Sequence, residues 1–338
     1  MVAEIASRMS TKARTPLQEV IPLSTPFLLF VDPSSLCNFR CKFCPTGDSE
    51  SMAASNRLPS IMSLDLFKKI IDDLSEFDQP LKTLRLYKDG EPFLNHRLAD
   101  MVRYAKEIGH VQWVDTTTNG WFLRPSQVQP VVEAGIDEIW ISVNGMSDEQ
   151  FWDFSRQRVN FKAYVEDIRH LYENRGSTTI LIKAVAEVLS TDDLERFMDT
   201  FGPITDKICI EHVVNCWPGF EAAEKLGVEI TQGTYGQPID EDIDVCPYIF
   251  YSMSVNADGR ASLCFLDWGH EIIWGDLREQ SLKQIWDSDL LRDHQLWMLE
   301  EGHRDIYFCK DCHQLSHGQA DNIGPWRLEL AQRLRGVK

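Results

Sequence analysis

The chain carries three cysteines as Cys37-Asn-Phe-Arg-Cys41-Lys-Phe-Cys44. Three thiolates at this C-x-x-x-C-x-x-C spacing can ligate three irons of a four-iron cluster and leave the fourth iron open to a substrate. Zinc also takes cysteine pairs, but a structural zinc closes its shell with four ligands. No histidine or fourth cysteine stands near the loop, and the next cysteine is Cys209. The spacing therefore favours a cluster.

A second set follows far downstream: Cys246, Cys264, and the pair Cys309-Lys-Asp-Cys312. The stretch 256–259, Asn-Ala-Asp-Gly, reads as a hairpin turn that puts Cys264 on the returning strand, and a helix over 281–300 precedes the closing pair. Four sulfurs without an evident histidine partner suit zinc or an iron-sulfur cluster equally well. Cys209 and Cys216 remain. An unpaired cysteine is most often a small core residue.

These residues need a scaffold, and 338 residues can build one large domain with a smaller one beside it. Hydrophobic content of 43% and charged content of 25% are those of a globular protein. The net charge of −18 argues against a general nucleic-acid or anionic-membrane surface, though not against a local basic pocket, and leaves a small or neutral substrate as the easier one to accept. No apolar run reaches the ~20 residues of a membrane span, and the first residues lack the apolar middle of a signal peptide. The expected setting is the cytoplasm, where nine cysteines point to metal or redox chemistry rather than disulfides.

Strand-like segments at 27–32, 83–88, 111–116, 138–143, 179–188 and 207–214 alternate with amphipathic helices. Leu64, Phe67, Ile70, Ile71 and Leu74 form one stripe behind a Ser63 cap, and Leu98, Met101, Val102, Ala105 and Ile108 form another ending at Gly109. Helices are also expected over 161–173 and 192–201. Six β-then-α units imply a parallel sheet of the α/β class, wound as a partial (β/α)6 TIM-like barrel, with functional groups at the C-terminal strand ends. The polar runs fall there: Lys88-Asp89-Gly90-Glu91-Pro92, Thr117-Thr118-Asn119-Gly120, and Ser142-Val143-Asn144-Gly145.

The cysteine loop, with an aromatic residue before its last cysteine and Gly90-Glu91-Pro92 one strand later, resembles that of the radical S-adenosylmethionine (SAM) enzymes. The resemblance implies a [4Fe–4S] cluster on Cys37, Cys41 and Cys44 whose open iron chelates SAM, and cleavage of SAM to a 5'-deoxyadenosyl radical that takes a hydrogen atom from the substrate. It also implies SAM contacts from Phe43, Gly90, Glu91, Pro92, Asn119, Ser142, Asn144 and Arg156. Asp89 departs from the family's GGEP pattern, which has glycine there. Ser142 and Asn144 also suit the capping of a following helix. The downstream set, with Gly275-Asp276-Leu277, Ile285-Trp286 and Glu301-Gly302-His303-Arg304, resembles the twitch or SPASM extension, similar to that of an aminocyclitol dehydrogenase. It implies one fully ligated auxiliary cluster on Cys246, Cys264, Cys309 and Cys312. The expected division is a leader at 1–24, the radical SAM barrel at 25–220, a linker at 221–245 and a small α+β auxiliary-cluster domain at 246–338.

An auxiliary cluster without an open iron suits an electron acceptor. Abstraction at a carbinol carbon, followed by loss of a proton and an electron, would oxidise a secondary alcohol of a sugar or aminocyclitol to a ketone, with a flavodoxin or ferredoxin as reducing partner. No dinucleotide fingerprint offers another route. Such a reaction needs a proton acceptor, and His212, Glu187 and Glu211 stand at the fifth and sixth strand ends. Two alternatives remain open: a radical epimerase with Cys216 as hydrogen donor, and a peptide-modifying maturase. Trp217, Trp268 and Trp274 could offer faces to a sugar, although most tryptophans are core residues.

Overall fold

The computed structural model describes residues 3–5, 7 and 14–336. Of the expected leader, residues 1, 2, 6 and 8–13 lie outside the described residues.

Six parallel strands run side by side in chain order: β2 (Leu28–Val31), β3 (Leu81–Arg85), β4 (Val111–Thr118), β5 (Glu138–Ser142), β6 (Thr179–Val185) and β7 (Lys207–Glu211). A two-residue strand, β1 (Glu4–Ile5), pairs with the outer side of β7. On the other side, β8 (Ser252–Val255) adds parallel to β2 and continues into an antiparallel hairpin of β9 (Arg260–Ser262) and β10 (Ile273–Asp276). The ten strands make one sheet whose outer members, β1 and β10, do not pair with each other. The partial barrel thus has the expected class and strand order, and its sheet runs straight across position 246 into the C-terminal extension.

Helices cover the outer face, as right-handed crossovers between parallel strands require. In Leu64–Asp72, Phe67, Ile70 and Ile71 are fully buried. Each such side chain contributes about 1.5–3 kcal/mol, more than the ~1 kcal/mol of a cap. Packing therefore holds this helix, while the Ser63 side chain, accepting from Leu66 N–H at 3.2 Å, fixes its start. Leu98–Ile108 ends where Gly109 takes φ +76°, a left-handed turn that glycine adopts without cost. The helix Phe161–Glu173 begins at an Asn160 cap, and Thr191–Phe201 at a Ser190 cap.

Several expected boundaries move for identifiable reasons. β3 starts at Leu81 and stops at Arg85, because Lys88 and Asp89 leave the sheet to join a buried ion cluster. β7 stops at Glu211, where His212 N–H turns to the Thr234 carbonyl. The hairpin turn at Asn256 forms, with Gly259 at φ +91°. β9 ends at Ser262, however, so Cys264 sits just beyond the strand, in a bend closed by Asp267 N–H to the Cys264 carbonyl. The expected helix over 281–300 is two, Leu282–Trp286 and Asp289–Glu300, because Ser288 caps the second through Leu291 N–H.

Candidate active site

The cysteine loop leaves the C-terminal end of β2. Arg40 N–H and Lys42 N–H donate to the carbonyls of Ser155 and Phe154, strapping it to the end of the helix Asp148–Ser155. Phe39 is buried beneath it, edge-on to Trp121 and Phe151. The sulfurs accept from neighbouring donors: Cys37 Sγ from Phe39 N–H (3.4 Å) and Asn119 Nδ2 (3.9 Å), and Cys41 Sγ from Asn144 Nδ2 (3.7 Å). Burial, then the Glu91 charge and Cys44, push the Cys37 thiol up to about 12. Burial likewise raises Cys41, with Cys44 and Cys37 adding to it, and it raises Cys44. Three thiols whose ionisation is opposed chiefly by burial, but which already accept amide hydrogens, fit a cationic iron-sulfur core.

Gly90 and Glu91 build the neighbouring strand ends. A Cβ on Gly90 would lie 2.2 Å from the Leu36 carbonyl oxygen and 2.3 Å from that of Ser34, so only glycine lets this turn touch the cysteine loop. Glu91 is buried, and its carboxylate accepts from Thr118 Oγ1 (2.7 Å), Asn119 N–H (2.8 Å) and Phe93 N–H (3.1 Å). Burial raises it to about 7. Pro92 opens the short turn Pro92–Leu94. Asp89, in place of the family's glycine, accepts from Lys88 Nζ and pairs with His270 Nε2 at 2.9 Å, tying the turn to the C-terminal extension. Although burial opposes its ionisation, Lys88, Arg57 and His270 hold Asp89 well below the usual carboxylate range.

The strand ends enclose a cavity of about 330 Å³. Phe43, Ser142 and Asn144 line it, as do His212 and Cys216. Phe43 stacks on Trp217 at 6.2 Å, and Trp217 also reaches the cavity. Trp268 instead donates to the Pro218 carbonyl, and Trp274 is core. His212 Nδ1 lies 2.8 Å from Glu187 Oε1, while Glu187 Oε2 accepts Val213 N–H. The Gln232 amide nitrogen lies 3.0 Å and 3.2 Å from the two ring nitrogens. Glu211 is engaged elsewhere, 2.6 Å from Lys183 Nζ. Arg156 is not brought to the cavity. It sits in the left-handed conformation at a helix end, half-exposed, with Asp153 at 3.9 Å. Cys209 is buried against Trp140 and Leu181, a core residue.

The four downstream cysteines converge from three segments on a second, small cavity of about 30 Å³. Burial and mutual repulsion raise all but Cys312, which burial alone pushes to about 11; Cys246 goes to about 12. Tyr248, Phe265, Leu266 and Gln314 border both cavities, so one layer of side chains separates them. None of the nine cysteines is disulfide-bonded, and among the described residues no three metal-binding side chains close on a single-ion position.

Sequence reasoning missed Gln232, Arg85 and Lys183. For Lys183 a signal existed: a lone charge inside the apolar run Ile-Leu-Ile-Lys-Ala-Val of β6.

A three-thiol loop at the first strand end of a parallel partial barrel, followed by a glycine turn, defines a radical SAM enzyme, and the chain belongs to the radical SAM superfamily, whose family model matches residues 31–200. An iron-sulfur cluster-binding domain of the SPASM type matches 246–313. The protein is therefore a radical SAM enzyme that uses a [4Fe–4S] cluster, SAM and an auxiliary iron-sulfur cluster. The chain is similar to the tungsten-containing aldehyde ferredoxin oxidoreductase cofactor-modifying protein of Pyrococcus furiosus, 31% identical over 36% of this chain and 32% of that protein, so this match spans about a third of that relative. It is 22% identical to the SAM-dependent 2-deoxy-scyllo-inosamine dehydrogenase of Niallia circulans, over 86% of this chain and 93% of that protein. The crystal structure of BtrN with AdoMet and 2-DOIA superposes with a TM-score of 0.55 at 19% identity, covering 88% of this chain and 97% of that one. Among the described residues no helix is long and apolar enough to cross a membrane.

Proposed function

We propose that this enzyme oxidises a secondary alcohol of a sugar or aminocyclitol to a ketone. The observation that carries the reading is the His212–Glu187 pair on a cavity bordered by Phe43, Ser142 and Asn144 and, across a single side-chain layer, by the four-cysteine site. Similarity to the dehydrogenase of Niallia circulans supports it.

In this reading Cys37, Cys41 and Cys44 hold the cluster that binds SAM, and Cys246, Cys264, Cys309 and Cys312 hold the auxiliary one. When bound, these groups supply a 5'-deoxyadenosyl radical for hydrogen abstraction and an acceptor for the remaining electron. The chain's own residues do the positioning. Asn119 and Asn144 donate to the first sulfurs, and Glu91 fixes the Asn119 backbone. Phe43, Ser142 and Asn144 line the SAM end of the cavity. Glu187 accepts from Nδ1 of His212, which leaves Nε2 to take the hydroxyl proton once the Gln232 amide is displaced. Tyr248 and Phe265 close the cavity toward the auxiliary site.

The absence of disulfides among the nine cysteines accords with a cytoplasmic setting, and the reading takes a flavodoxin or ferredoxin as electron donor. A second reading, epimerisation, draws on Cys216. It lines the cavity, and burial with the neighbouring Cys312 raises its thiol, keeping it protonated as a hydrogen donor must be.

The test is to incubate anaerobically reconstituted enzyme with SAM, a reductant and sugars or aminocyclitols deuterated at each carbinol carbon. Label in 5'-deoxyadenosine together with a ketone supports oxidation. Label with no ketone, and loss of turnover in Cys216→Ala, supports epimerisation. No label from any alcohol removes both.

A further inference from the structure

The charges around the 330 Å³ cavity are arranged asymmetrically. Arg85, Lys88 and Lys183 all line it, and each has a carboxylate partner: Asp115 at 3.4 Å, Asp89 at 2.9 Å and Glu211 at 2.6 Å. Only Glu211 also lines the cavity. Asp115 and Asp89 stand behind their cations, with 4% and 3% of their side chains exposed. The face offered to a substrate therefore carries the part-exposed Arg85 and Lys183 against the single carboxylate of Glu211.

The cations differ in how much they have left to give. Lys88 Nζ donates to both Asp89 oxygens and to the Asp267 carbonyl, and its side chain is wholly covered. Arg85 keeps 25% of its side chain exposed, more than Lys183 at 19%. Its guanidinium lies over the Phe30 ring, 5.6 Å from the centroid, and Nη1 donates to the Tyr87 hydroxyl at 3.1 Å. Phe30 in turn stacks on Phe265 at 4.6 Å. An arginine held over an aromatic ring and tied by a tyrosine hydroxyl is a preorganised fork for an oxyanion.

We propose that the substrate carries an anionic group, a phosphate or a carboxylate, which docks against Arg85, and that an aminated, cationic substrate is disfavoured. This rests on the reading of the cavity as the place where a sugar-like alcohol is oxidised, and it narrows that reading toward acidic or phosphorylated sugars. Tyr87 adds a hydroxyl beside the anion, and Lys183 lines the same cavity from β6.

Four probes of one scaffold test it with reconstituted enzyme and SAM: glucose, glucosamine, glucuronate and glucose 6-phosphate, followed by calorimetric binding and by ketone formation. Glucuronate or glucose 6-phosphate should bind about tenfold or more tightly than glucose, as one added charge-assisted hydrogen bond implies, and glucosamine more weakly. The stronger of the two acids identifies the anion as carboxylate or phosphate. Arg85→Gln should erase the preference and Arg85→Lys should restore part of it. Because Arg85→Gln alone strands Asp115, R85Q/D115N removes both charges together and should give the same loss. SAM affinity should stay within about twofold in these variants. Equal binding of all four probes, a preference for glucosamine, or a drop in SAM affinity that shows Arg85 serving SAM would overturn the proposal. An anion preference without any ketone would instead sink the oxidation reading and leave this one standing.

Discussion

The two cysteine groups are built from opposite materials. The loop 37–44 is contiguous, its sulfurs accept from a backbone amide and two asparagines, and it stands beside a cavity with several charged groups. The second group is gathered from three distant segments into a small apolar chamber lined by Ile249, Leu263 and Phe308. Burial raises the thiols of both. What differs is access: a site that must exchange a ligand keeps polar donors and an opening, whereas a site with all its ligands in place can be dry and closed.

The largest effect that would break this comparison is loss of a single thiol. Cys41→Ala and Cys264→Ala should each lower iron from about eight to about four per chain. The first should abolish SAM cleavage, and the second should retain SAM binding while losing the oxidised product, with iron assay and 5'-deoxyadenosine yield as measures. Gly90→Ala should come next. Its Cβ collides with two backbone carbonyls of the cysteine loop, so the first cluster should fail to assemble while the auxiliary visible absorption persists.

His212→Ala should lower kcat by about 10²–10⁴-fold with SAM binding unchanged, and Glu187→Gln by less, read as ketone formed per turnover. Glu91→Ala strands three buried donors and should cost about 1–3 kcal/mol for each, seen as a lower melting temperature and weaker SAM binding.

The smallest expected effect concerns pH. Burial and the Asp89 charge raise Asp32 to about 7, against Arg57 and Lys88. Between the ordinary aspartate value of about 4 and about 7 the native state holds a proton that the unfolded chain has released, so stability falls as pH rises through that window. Asp32→Asn should flatten the fall, as thermal melts across pH 5 to 8 would record.

Much of the scaffold was legible because it is periodic. The six parallel strands follow the apolar runs in order, and one helix starts at Ser63 and another stops at Gly109, where local chemistry demands it. Arg156 was misplaced because residue type does not reveal direction, and a helix end turned it to solvent. The break at Ser288 was hidden since apolar spacing runs on through both helices while the cap acts locally. His212 and Glu187 were each named as possible bases, but their pairing was invisible from spacing alone.

The order of residues by itself determined the three-thiol loop, the glycine turn after it and the alternation of strand and helix, because each depends on neighbours a few positions apart. Only the tertiary structure decided which charges meet. Asp89 finds His270 across 181 positions, Glu187 finds His212 across 25, and Asp115 stands behind Arg85. Such contacts follow from how the strands curve and pack, since a side chain's partner is set by the direction it points in the curved sheet and not by its place along the chain.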